Sequence, residues 1–371
     1  MARPRVALVH DYLNQYGGAE RVLEELHALF PDAPVFTSIY WPEKMSPAIR
    51  ALDVRTSFMQ RLPGAVREHQ RYLIVYPFAF ESFDLSGYDL VISNCSAFCK
   101  GVRKRPDALH VCYCLTPMRW VWRHHAYVER EQFGRLARLG LPPVIRWLRA
   151  WDVKSNRRVD RFVAISRAVQ DRITRFYRRD STIVYPPVDT GAFAPTGGAV
   201  GDYFLVVSRL VPYKRIDLAV DACTRLGLPL KIAGSTGRDE AALRAKAGPS
   251  VEFLGWATNE QRRDLMARCK AFLFCGEDDF GITPLEVSAS GRPVVAFAAG
   301  GALDTVVDGV TGVLFHEQSV DALAAAIARS ETVAWDPEAI RAHALRFDTG
   351  VFRRRLPALI EEALASRPAG A

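Results

Sequence analysis

The segment with the clearest chemical content lies at residues 277–286 and reads Glu-Asp-Asp-Phe-Gly-Ile-Thr-Pro-Leu-Glu. It follows an apolar run at 271–275 that predicts a buried strand. Thr283 is then expected to be the N-cap of a helix that has Pro284 at its first position. The amides of such a helix start bind phosphates, and Gly281 lets a ligand approach the main chain. The segment therefore predicts a diphosphate site.

Two carboxylates flank this predicted helix start. Asp278 and Glu286 stand eight residues apart, so both could face a polyol, one at the hydroxyls of a sugar and the other at a ribose. A second interpretation stays open for each of them. Thr283 and Glu286 also have the spacing of a capping box, in which the glutamate reaches only the N-cap amide. The three consecutive acids at 277–279 could equally form a solvated loop.

Two cations follow another predicted strand, at 203–207. Arg209 and Lys214 leave the carboxyl end of that strand, where two fixed positive charges could hold both phosphates of a leaving diphosphate. They would stabilise the negative charge that develops as the leaving group departs. The alternative is an ordinary pair of basic surface residues. The acidic loop at 277–286 favours the diphosphate site over this alternative.

A glycine pair separates the first predicted strand from the first predicted helix. Gly17 and Gly18 stand at the helix start, as in loops that approach a phosphate, although half of such loops are plain turns. The spacing is not GxGxxG, which argues against a dinucleotide-dependent dehydrogenase.

Alternating strand-like and helical patterns occur twice along the chain, which is typical of parallel βαβ units. They predict an α/β protein with two Rossmann-like, doubly wound lobes at 1–190 and 199–347, joined by a turn-rich linker, with the carboxyl ends of both sheets facing one central cleft. A helical tail at 348–371 is expected to pack back toward the first lobe. The predicted strands are 5–9, 34–39, 88–93, 108–114, 160–165 and 182–185, then 203–207, 230–233, 251–254, 271–274, 293–297 and 312–315.

The chain has 371 residues and a formal net charge of +8, which is unevenly distributed. Residues 1–195 hold 29 basic and 19 acidic side chains, a balance of +10, and the remainder is close to neutral. An anionic membrane surface or a lipid-diphosphate acceptor suits this dispersed charge. Nucleic acid is not expected as a partner, because no aromatic-basic module is present.

Residues 133–151 mix arginines, leucines and tryptophans without an acid, which suits either a helix pair on anionic lipid or a core-packed helix hairpin. The seven cysteines show no paired CxxC spacing and are expected to be reduced core thiols rather than metal ligands.

Neither a signal-peptide pattern nor a membrane-spanning run of apolar residues is visible. We therefore expect a cytoplasmic protein, peripheral on the inner face of the cell membrane where the basic half attaches it.

Several motifs together resemble glycosyltransferase family 4, with the greatest similarity to bacterial mannosyltransferases of O-antigen and exopolysaccharide assembly. The resemblance covers nearly the whole chain and implies a GT-B fold, retention of anomeric configuration, no metal and no cofactor. It also implies a nucleotide-sugar co-substrate, usually GDP-mannose, on the C-terminal lobe, and an acceptor on the N-terminal lobe. The motifs are Gly17–Glu20, Ser208–Arg215, Gly255-Trp256, Glu277–Glu286 and Gly291–Val295.

The resemblance assigns roles by motif position. Arg209 and Lys214 would hold the diphosphate, Glu286 the ribose and Asp278 the sugar, and these four form the expected catalytic set. The expected donor-binding residues are Gly17, Gly18, Gly234, Phe280, Gly281, Ile282 and Thr283. The expected acceptor-side residues are Asp11, Leu115, Thr116, Arg119 and Ser166.

Two positions depart from the family pattern. Asp278 replaces a glutamate and is one methylene shorter, and Leu115 stands where relatives carry a histidine near the donor sugar. If that imidazole grips a hydroxyl in the relatives, leucine would admit a sugar that lacks it, such as a deoxyhexose. The other classes consistent with the pattern are a different donor such as a UDP-sugar, a nucleotide-sugar epimerase, and a catalytically silent paralogue that binds a glycan.

Overall fold

The computed structural model describes residues 4–122, 135–195, 197–234, 237 and 239–366. The chain divides into two compact units. The first lobe comprises Met1–Tyr185 together with Arg353–Ala371, and the second lobe comprises Pro186–Phe352. Each lobe has a parallel sheet of its own, as the repeated βαβ pattern predicts.

The first lobe is built on a seven-stranded parallel sheet with the order β3-β2-β1-β4-β5-β6-β7. The order reverses direction between β1 and β4, which makes the sheet doubly wound and places a topological switch point at the carboxyl ends of these two strands. The strands are β1 (Val6–His10), β2 (Val35–Thr37), β3 (Val54–Thr56), β4 (Leu90–Cys95), β5 (Leu109–Cys114), β6 (Arg161–Ala164) and β7 (Ser181–Ile183).

The helices of the first lobe connect these strands. Val22, Leu23 and Leu26 of α1 are buried against the sheet, and Leu29 and Phe30 are half-buried, so the predicted apolar face is confirmed. No described helix of the chain combines the length and the apolarity that a bilayer crossing needs. The helices are α1 (Gly18–Leu29), α2 (Pro47–Arg50), α3 (Tyr76–Glu81), α4 (Arg119–Trp122), α5 (Arg135–Ser155) and α6 (Arg167–Arg172).

The second lobe is built on a six-stranded parallel sheet with the order β10-β9-β8-β11-β12-β13. Its strands are β8 (Phe204–Val207), β9 (Leu230–Ala233), β10 (Val251–Gly255), β11 (Phe272–Phe274), β12 (Val294–Phe297) and β13 (Gly312–Phe315). Its helices are α7 (Ile216–Leu226), α8 (Glu240–Lys246), α9 (Asn259–Arg268), α10 (Ile282–Ala289), α11 (Ala302–Thr305), α12 (Val320–Thr332) and α13 (Pro337–Ala344).

The last helix, α14 (Thr349–Ala365), begins in the second lobe, and from Arg353 onward its residues belong to the first. Arg353 Nε donates to Glu25 Oε2 of α1 at 2.7 Å. The part of the predicted tail beyond residue 366 lies outside the described residues.

All seven cysteines are free and buried, which confirms the expected core thiols. Burial raises the pKa of the Cys95, Cys99 and Cys112 thiols well above the ordinary value, because a thiolate would be desolvated there. These thiols are therefore poor nucleophiles and act as small apolar side chains.

A buried ion pair attaches α5 to the turn after β4. Lys100 and Asp152 are 1% and 0% exposed, and Lys100 Nζ lies 2.8 Å from Asp152 Oδ1. The ammonium also donates to the Asp152 carbonyl at 2.8 Å and to Ser155 Oγ at 2.6 Å. Trp122 Nε1 donates to Asp152 Oδ2 at 2.7 Å. Several hydrogen bonds thus offset the desolvation of both charges.

Replacing Lys100 with methionine should destabilise the protein strongly, because Asp152 would remain as an uncompensated buried charge. We expect a loss of about 3–5 kcal/mol in the free energy of unfolding, measured by urea denaturation. The matched control is Arg103→Met, which removes a 64% exposed guanidinium from its ion pair with Glu81 and should cost below about 1 kcal/mol. Equal losses in the two variants would contradict this role of Lys100.

Candidate functional site

A cavity in the second lobe lies where β8 and β11 end. Parallel strands direct their carboxyl ends to one edge of the sheet, so the loops after these strands meet there. The residues that line the cavity include Ser208, Lys214, Asp278, Gly281, Ile282 and Thr283. Two segments that the sequence singled out, the basic loop after β8 and the acidic loop after β11, therefore share one site.

Lys214 closes a short 3₁₀ turn, Pro212–Lys214, that follows β8. Its ammonium forms an ion pair with the Asp278 carboxylate, and the two side chains are only 19% and 18% exposed. The pair brings together a cation expected at a diphosphate and an acid expected at a sugar. Each compensates the charge of the other in a poorly hydrated place.

Arg209 is placed differently from Lys214. Its side chain is exposed, it lies outside the lining of the cavity, and its Nη2 donates to Tyr213 Oη at 3.0 Å. The structure therefore places one of the two predicted cations, Lys214, in the cavity wall. The other stands at the surface of the same loop.

The predicted start of the helix after β11 is wrong by two residues. Helix α10 begins at Ile282, and its N-cap is Gly281 in a left-handed conformation with φ of +99°. Thr283 is the second helical residue rather than the N-cap, so the capping-box interpretation of Thr283 and Glu286 is also wrong. Glycine adopts this φ without steric cost, which lets the helix begin earlier than a threonine cap would allow.

This helix start presents backbone donors to the cavity. The first amides of a helix have no acceptor within the helix, and Ile282 and Thr283 both line the cavity together with Lys214. The helix dipole adds partial positive charge at the same end. Backbone amides and one ammonium therefore converge, as an anion site requires.

Glycines allow the backbones of these loops to touch. A Cβ on Gly276 would lie 2.8 Å from Lys214 Cα, and one on Gly234 would lie 1.7 Å from the Ser208 carbonyl oxygen. Real Cβ contacts are not this short, so any larger residue would push the Lys214 loop away. The predicted donor-binding residue Gly234 therefore acts by close packing against the strand end.

A second glycine pair supports the acidic loop. A Cβ on Gly300 would lie 2.1 Å from the Asp278 carbonyl oxygen, and one on Gly301 would lie 2.2 Å from Phe280 Cα. Gly301 N donates to the Asp278 carbonyl at 2.8 Å. Phe280 is 4% exposed and packs on Phe347 with ring centroids 5.8 Å apart. The Phe280 ring therefore belongs to the core, and the expected donor binding by Phe280 stays a prediction.

Glu286 lies one turn into α10 and is almost fully buried. Arg262 Nη2 of α9 donates to Glu286 Oε2 at 2.7 Å, and the two side chains are 17% and 4% exposed. The Arg262 Nε atom is buried and has no hydrogen-bond partner within the part of the chain that the structure describes. Arg262 was not predicted from the sequence, because nothing in the polar helix after Trp256 distinguishes it from its neighbour Arg263.

In the first lobe, Asp11 follows β1 and is 2% exposed. Its two carboxylate oxygens accept four backbone amides of residues 96–99, at 2.6–2.8 Å, and the Ser96 hydroxyl at 3.0 Å. The turn after β4 therefore occupies this carboxylate, and the expected place of Asp11 on the acceptor side stays a prediction. Ligand-type atoms of Asp11, Cys95 and Cys99 lie within 4.8 Å of one another, but a cation there would have to displace these donors.

The Gly17-Gly18 pair forms the start of α1, where Gly17 is the N-cap. Gly17 N donates to Glu20 Oε2 at 2.7 Å, and Glu20 Oε1 lies 3.3 Å from His10 Nε2. Since His10 is the last residue of β1, the glycine turn is attached to the strand end through one buried carboxylate.

The remaining predicted acceptor-side residues follow β5 and β6. Leu115 is half-buried and its amide donates to the Cys95 carbonyl at 2.8 Å, and Arg119 is exposed at the start of α4. Thr116 is buried, and its hydroxyl donates to the Pro117 carbonyl at 3.2 Å.

Ser166 follows β6 and caps the next helix. It is fully buried, and its hydroxyl accepts the Val169 amide at 3.2 Å as the N-cap of α6. Its expected place on the acceptor side stays a prediction.

Comparisons with known proteins agree with this architecture. The chain is 30% identical over 196 residues to the GDP-mannose-dependent alpha-(1-6)-phosphatidylinositol monomannoside mannosyltransferase of Mycolicibacterium smegmatis, a match that covers 44% of this chain and 50% of that protein. It is 31% identical over 153 residues to the glycogen synthase of Pseudomonas aeruginosa, covering 38% of this chain and 29% of the synthase. The chain thus spans half or less of the length of these relatives.

The fold itself matches a solved structure over nearly its whole length. The crystal structure of Anabaena HepE in complex with UDP superposes with a TM-score of 0.71 at 19% identity, covering 97% of this chain and 100% of that one. The two Rossmann-like lobes are therefore those of the GT-B fold. Residues 16–192 match the family model described as Glycosyltransferase Family 4, and residues 200–341 match the one described as Glycosyl transferases group 1. The chain accordingly carries a Glycosyltransferase Family 4 domain in its first lobe and a Glycosyl transferases group 1 domain in its second.

Proposed function

We propose that this chain is a retaining glycosyltransferase that moves a mannosyl residue from GDP-mannose to a lipid-linked saccharide in the assembly of a surface polysaccharide such as O-antigen or exopolysaccharide. The observation that carries the proposal is the shared cavity of Lys214 and the start of α10. Mannose is favoured by the resemblance of the motifs and by the mannosyltransferase relative, which is named for its use of GDP-mannose. HepE in complex with UDP supports a nucleotide as the ligand of this fold.

The diphosphate binds by replacing an internal ion pair. In the free protein the Asp278 carboxylate compensates Lys214. A phosphate oxygen offers the ammonium a stronger charge, and the amides of Ile282 and Thr283 supply further donors at the same place. Asp278 is then released to accept hydrogen bonds from the sugar hydroxyls. In the resting state, before this exchange, Lys214 and Asp278 therefore compensate each other.

Transfer takes place on one face of the sugar. The bond between the anomeric carbon and the phosphate oxygen breaks, and the acceptor oxygen forms its bond to the same face of that carbon. The acceptor proton passes to the departing phosphate oxygen, so no protein base is needed. Lys214, with Arg209 from the same loop, stabilises the charge on the leaving diphosphate, a task that a divalent cation performs in metal-dependent transferases.

The nucleoside binds at the buried carboxylate of Glu286. A ribose hydroxyl can donate to Glu286 while Arg262 Nη2 donates to the same carboxylate from α9. The buried Nε of Arg262 provides an additional donor beside the same carboxylate. Arg262 therefore acts as a positioning residue for Glu286.

Binding of GDP-mannose should depend on Lys214 more than on other lysines of the lobe. We expect Lys214→Gln to weaken binding at least about tenfold, since one charge-assisted contact to a phosphate is lost. Isothermal calorimetry with a panel of nucleotide sugars measures this. The control is Lys231→Gln on the adjacent strand β9, whose ammonium is 3.9 Å from Glu252.

If Lys214→Gln binds as tightly as the native protein, the proposed diphosphate site is wrong. Release of nucleotide diphosphate only when an acceptor is present distinguishes a transferase from an epimerase. A native protein that binds no nucleotide sugar would instead indicate a silent paralogue.

We propose that Leu115 makes one hydroxyl of the donor sugar unnecessary for binding, because its side chain cannot accept or donate a hydrogen bond. We expect Leu115→His to raise the ratio of kcat/KM for GDP-mannose over a GDP-deoxyhexose about tenfold, as one additional hydroxyl contact would. Leu115→Met, which keeps the position apolar, should leave the ratio unchanged. An unaltered donor preference in the histidine variant would end this hypothesis.

Arg262 and Glu286 should be energetically coupled. We expect Arg262→Leu to lower the free energy of unfolding by about 1–3 kcal/mol, less than for a fully buried pair because the arginine keeps some exposure to water. In the double variant Arg262→Leu/Glu286→Gln most of this loss should vanish, since no buried charge is left unpaired. Arg263→Leu, next along the same helix and exposed, is the control. Additive losses in the double variant would show that the pair is not coupled.

A further inference from the structure

Arg215, the residue after Lys214, has an unusual backbone conformation. Its φ of +52° lies in the left-handed region, and among the described residues the only other non-glycine residue with a positive φ is Arg178. A residue with a Cβ adopts this region at a cost in free energy, so surrounding contacts must hold it there. Arg215 ends the turn that carries Lys214 and begins α7. Its conformation therefore sets the direction in which the chain leaves the cation.

Side-chain contacts hold Arg215 in this conformation. Its guanidinium lies against the Asp217 carboxylate in the first turn of α7, with three nitrogen–oxygen distances of 3.1–3.3 Å. The carboxylate also suits the positive end of the helix dipole. On the other side, Arg215 Nη1 donates to Gln318 Oε1 at 3.4 Å. The guanidinium is thus fixed on its own helix and reaches Gln318 as well.

Gln318 connects Arg215 to the end of strand β11. It lies between β13 and α12 and is half-buried. Its Nε2 donates to the carbonyl of Cys275, the residue after β11, at 2.9 Å. A guanidinium can only donate and a carbonyl can only accept, so a single orientation of the Gln318 amide satisfies both. We name these two hydrogen bonds the Gln318 bridge.

The Gln318 bridge and the Lys214–Asp278 ion pair join the same two loops. Arg215 directly follows Lys214 in the loop after β8, and Cys275 stands three residues before Asp278 in the loop after β11. The bridge uses neither the ammonium nor the carboxylate of the ion pair. A ligand that breaks the ion pair therefore leaves the bridge in place.

We propose that Arg215 and Gln318 are positioning residues, which keep the Lys214 ammonium at the start of α10 when a diphosphate replaces Asp278 as its partner. In the resting state the ion pair and the bridge both join the loops. In the exchange the ion pair breaks, and the bridge holds the cation where the helix amides are. Donors that are fixed in advance bind an anion more tightly than donors that must first be ordered. The identity of the ligand rests on the proposed function.

Calorimetry of GDP-mannose with the full chain tests this role. Gln318→Met removes both hydrogen bonds of the bridge and should raise the Kd about fivefold, because the cation is no longer fixed beside the amides. Gln318→Asn is one methylene shorter, cannot reach both partners and should weaken binding to a similar extent. Without nucleotide, the midpoint of thermal unfolding of both variants should stay within about 3 °C of the native value, because the ion pair still joins the loops.

A double-mutant cycle with Lys214 separates positioning from a general structural role. Lys214→Gln alone should raise the Kd about tenfold. In Lys214→Gln/Gln318→Met we expect about the same tenfold rise, because the bridge then has no ammonium to position. A rise of about fiftyfold, the product of the two single effects, would show that Gln318 does not act through Lys214 and would overturn the proposal.

Two substitutions of Arg215 separate its backbone conformation from its side-chain contacts. Arg215→Ala and Arg215→Gly both lose the contacts with Asp217 and Gln318, but glycine adopts the left-handed region without steric cost. We therefore expect the alanine variant to raise the Kd of GDP-mannose more than the glycine variant does. Equal values, or the reverse order, would overturn the role of Arg215.

The matched control is Arg225→Met in the last turn of α7. Arg225 is 48% exposed and forms an ion pair with Asp321 of α12, so it also joins α7 to the chain that follows β13. Its replacement should leave the Kd at the native value.

The native chain distinguishes failure of this proposal from failure of the proposed function. If the native chain and Gln318→Met bind GDP-mannose equally well, the positioning role is overturned and the proposed function stands. A native chain that binds no nucleotide sugar would overturn both.

Discussion

The charge of Lys214 must be balanced inside its own lobe before a ligand arrives. An ammonium that is only 19% exposed loses much of its hydration, and the ion pair with Asp278 compensates for this loss. Because the two residues come from the loops after β8 and β11, their ion pair couples the positions of both loops. This coupling sets the distance between the Lys214 ammonium and the start of α10. In the proposed function a phosphate takes the place of the carboxylate at Lys214, and the released Asp278 accepts hydrogen bonds from the sugar hydroxyls.

Backbone contact makes this arrangement stiff. Gly276 lies under Lys214, and Gly300 and Gly301 lie against the backbone of Asp278 and Phe280, at distances that leave no room for a Cβ. The absence of a side chain is therefore what these glycines contribute, because with any other residue the loops could not approach one another. Gly281 contributes differently, because its left-handed φ begins the helix early enough to aim the first amides at the cavity. Preorganised donors of this kind bind an anion without paying for reorganisation.

The fold was largely predictable, because buried parallel strands appear as continuous apolar runs. Two predicted strands, β9 and β13, agree with the structure to the residue. Strand β3 was missed since Val54 is its one apolar residue and it lies at the edge of the sheet. The site was predictable only where local spacing carries the signal, as in 277–286. The partners of Glu286 and Asp11 lie 24 and 85 or more residues away, so only the tertiary structure pairs them.

The extent of charge compensation distinguishes the ionic residues that stabilise this protein from those that are proposed to bind a ligand. Asp11 is enclosed by amides, Lys100 is matched by Asp152, and all of these side chains are almost fully buried. Such charges are costly to disturb, and they hold the first lobe together. Among the described residues Lys214 is paired with one carboxylate and lines a cavity, so in the proposed function a stronger anion exchanges with that partner. Burial and the number of fixed partners, rather than charge alone, therefore indicate which ionic groups of this chain are free to serve binding.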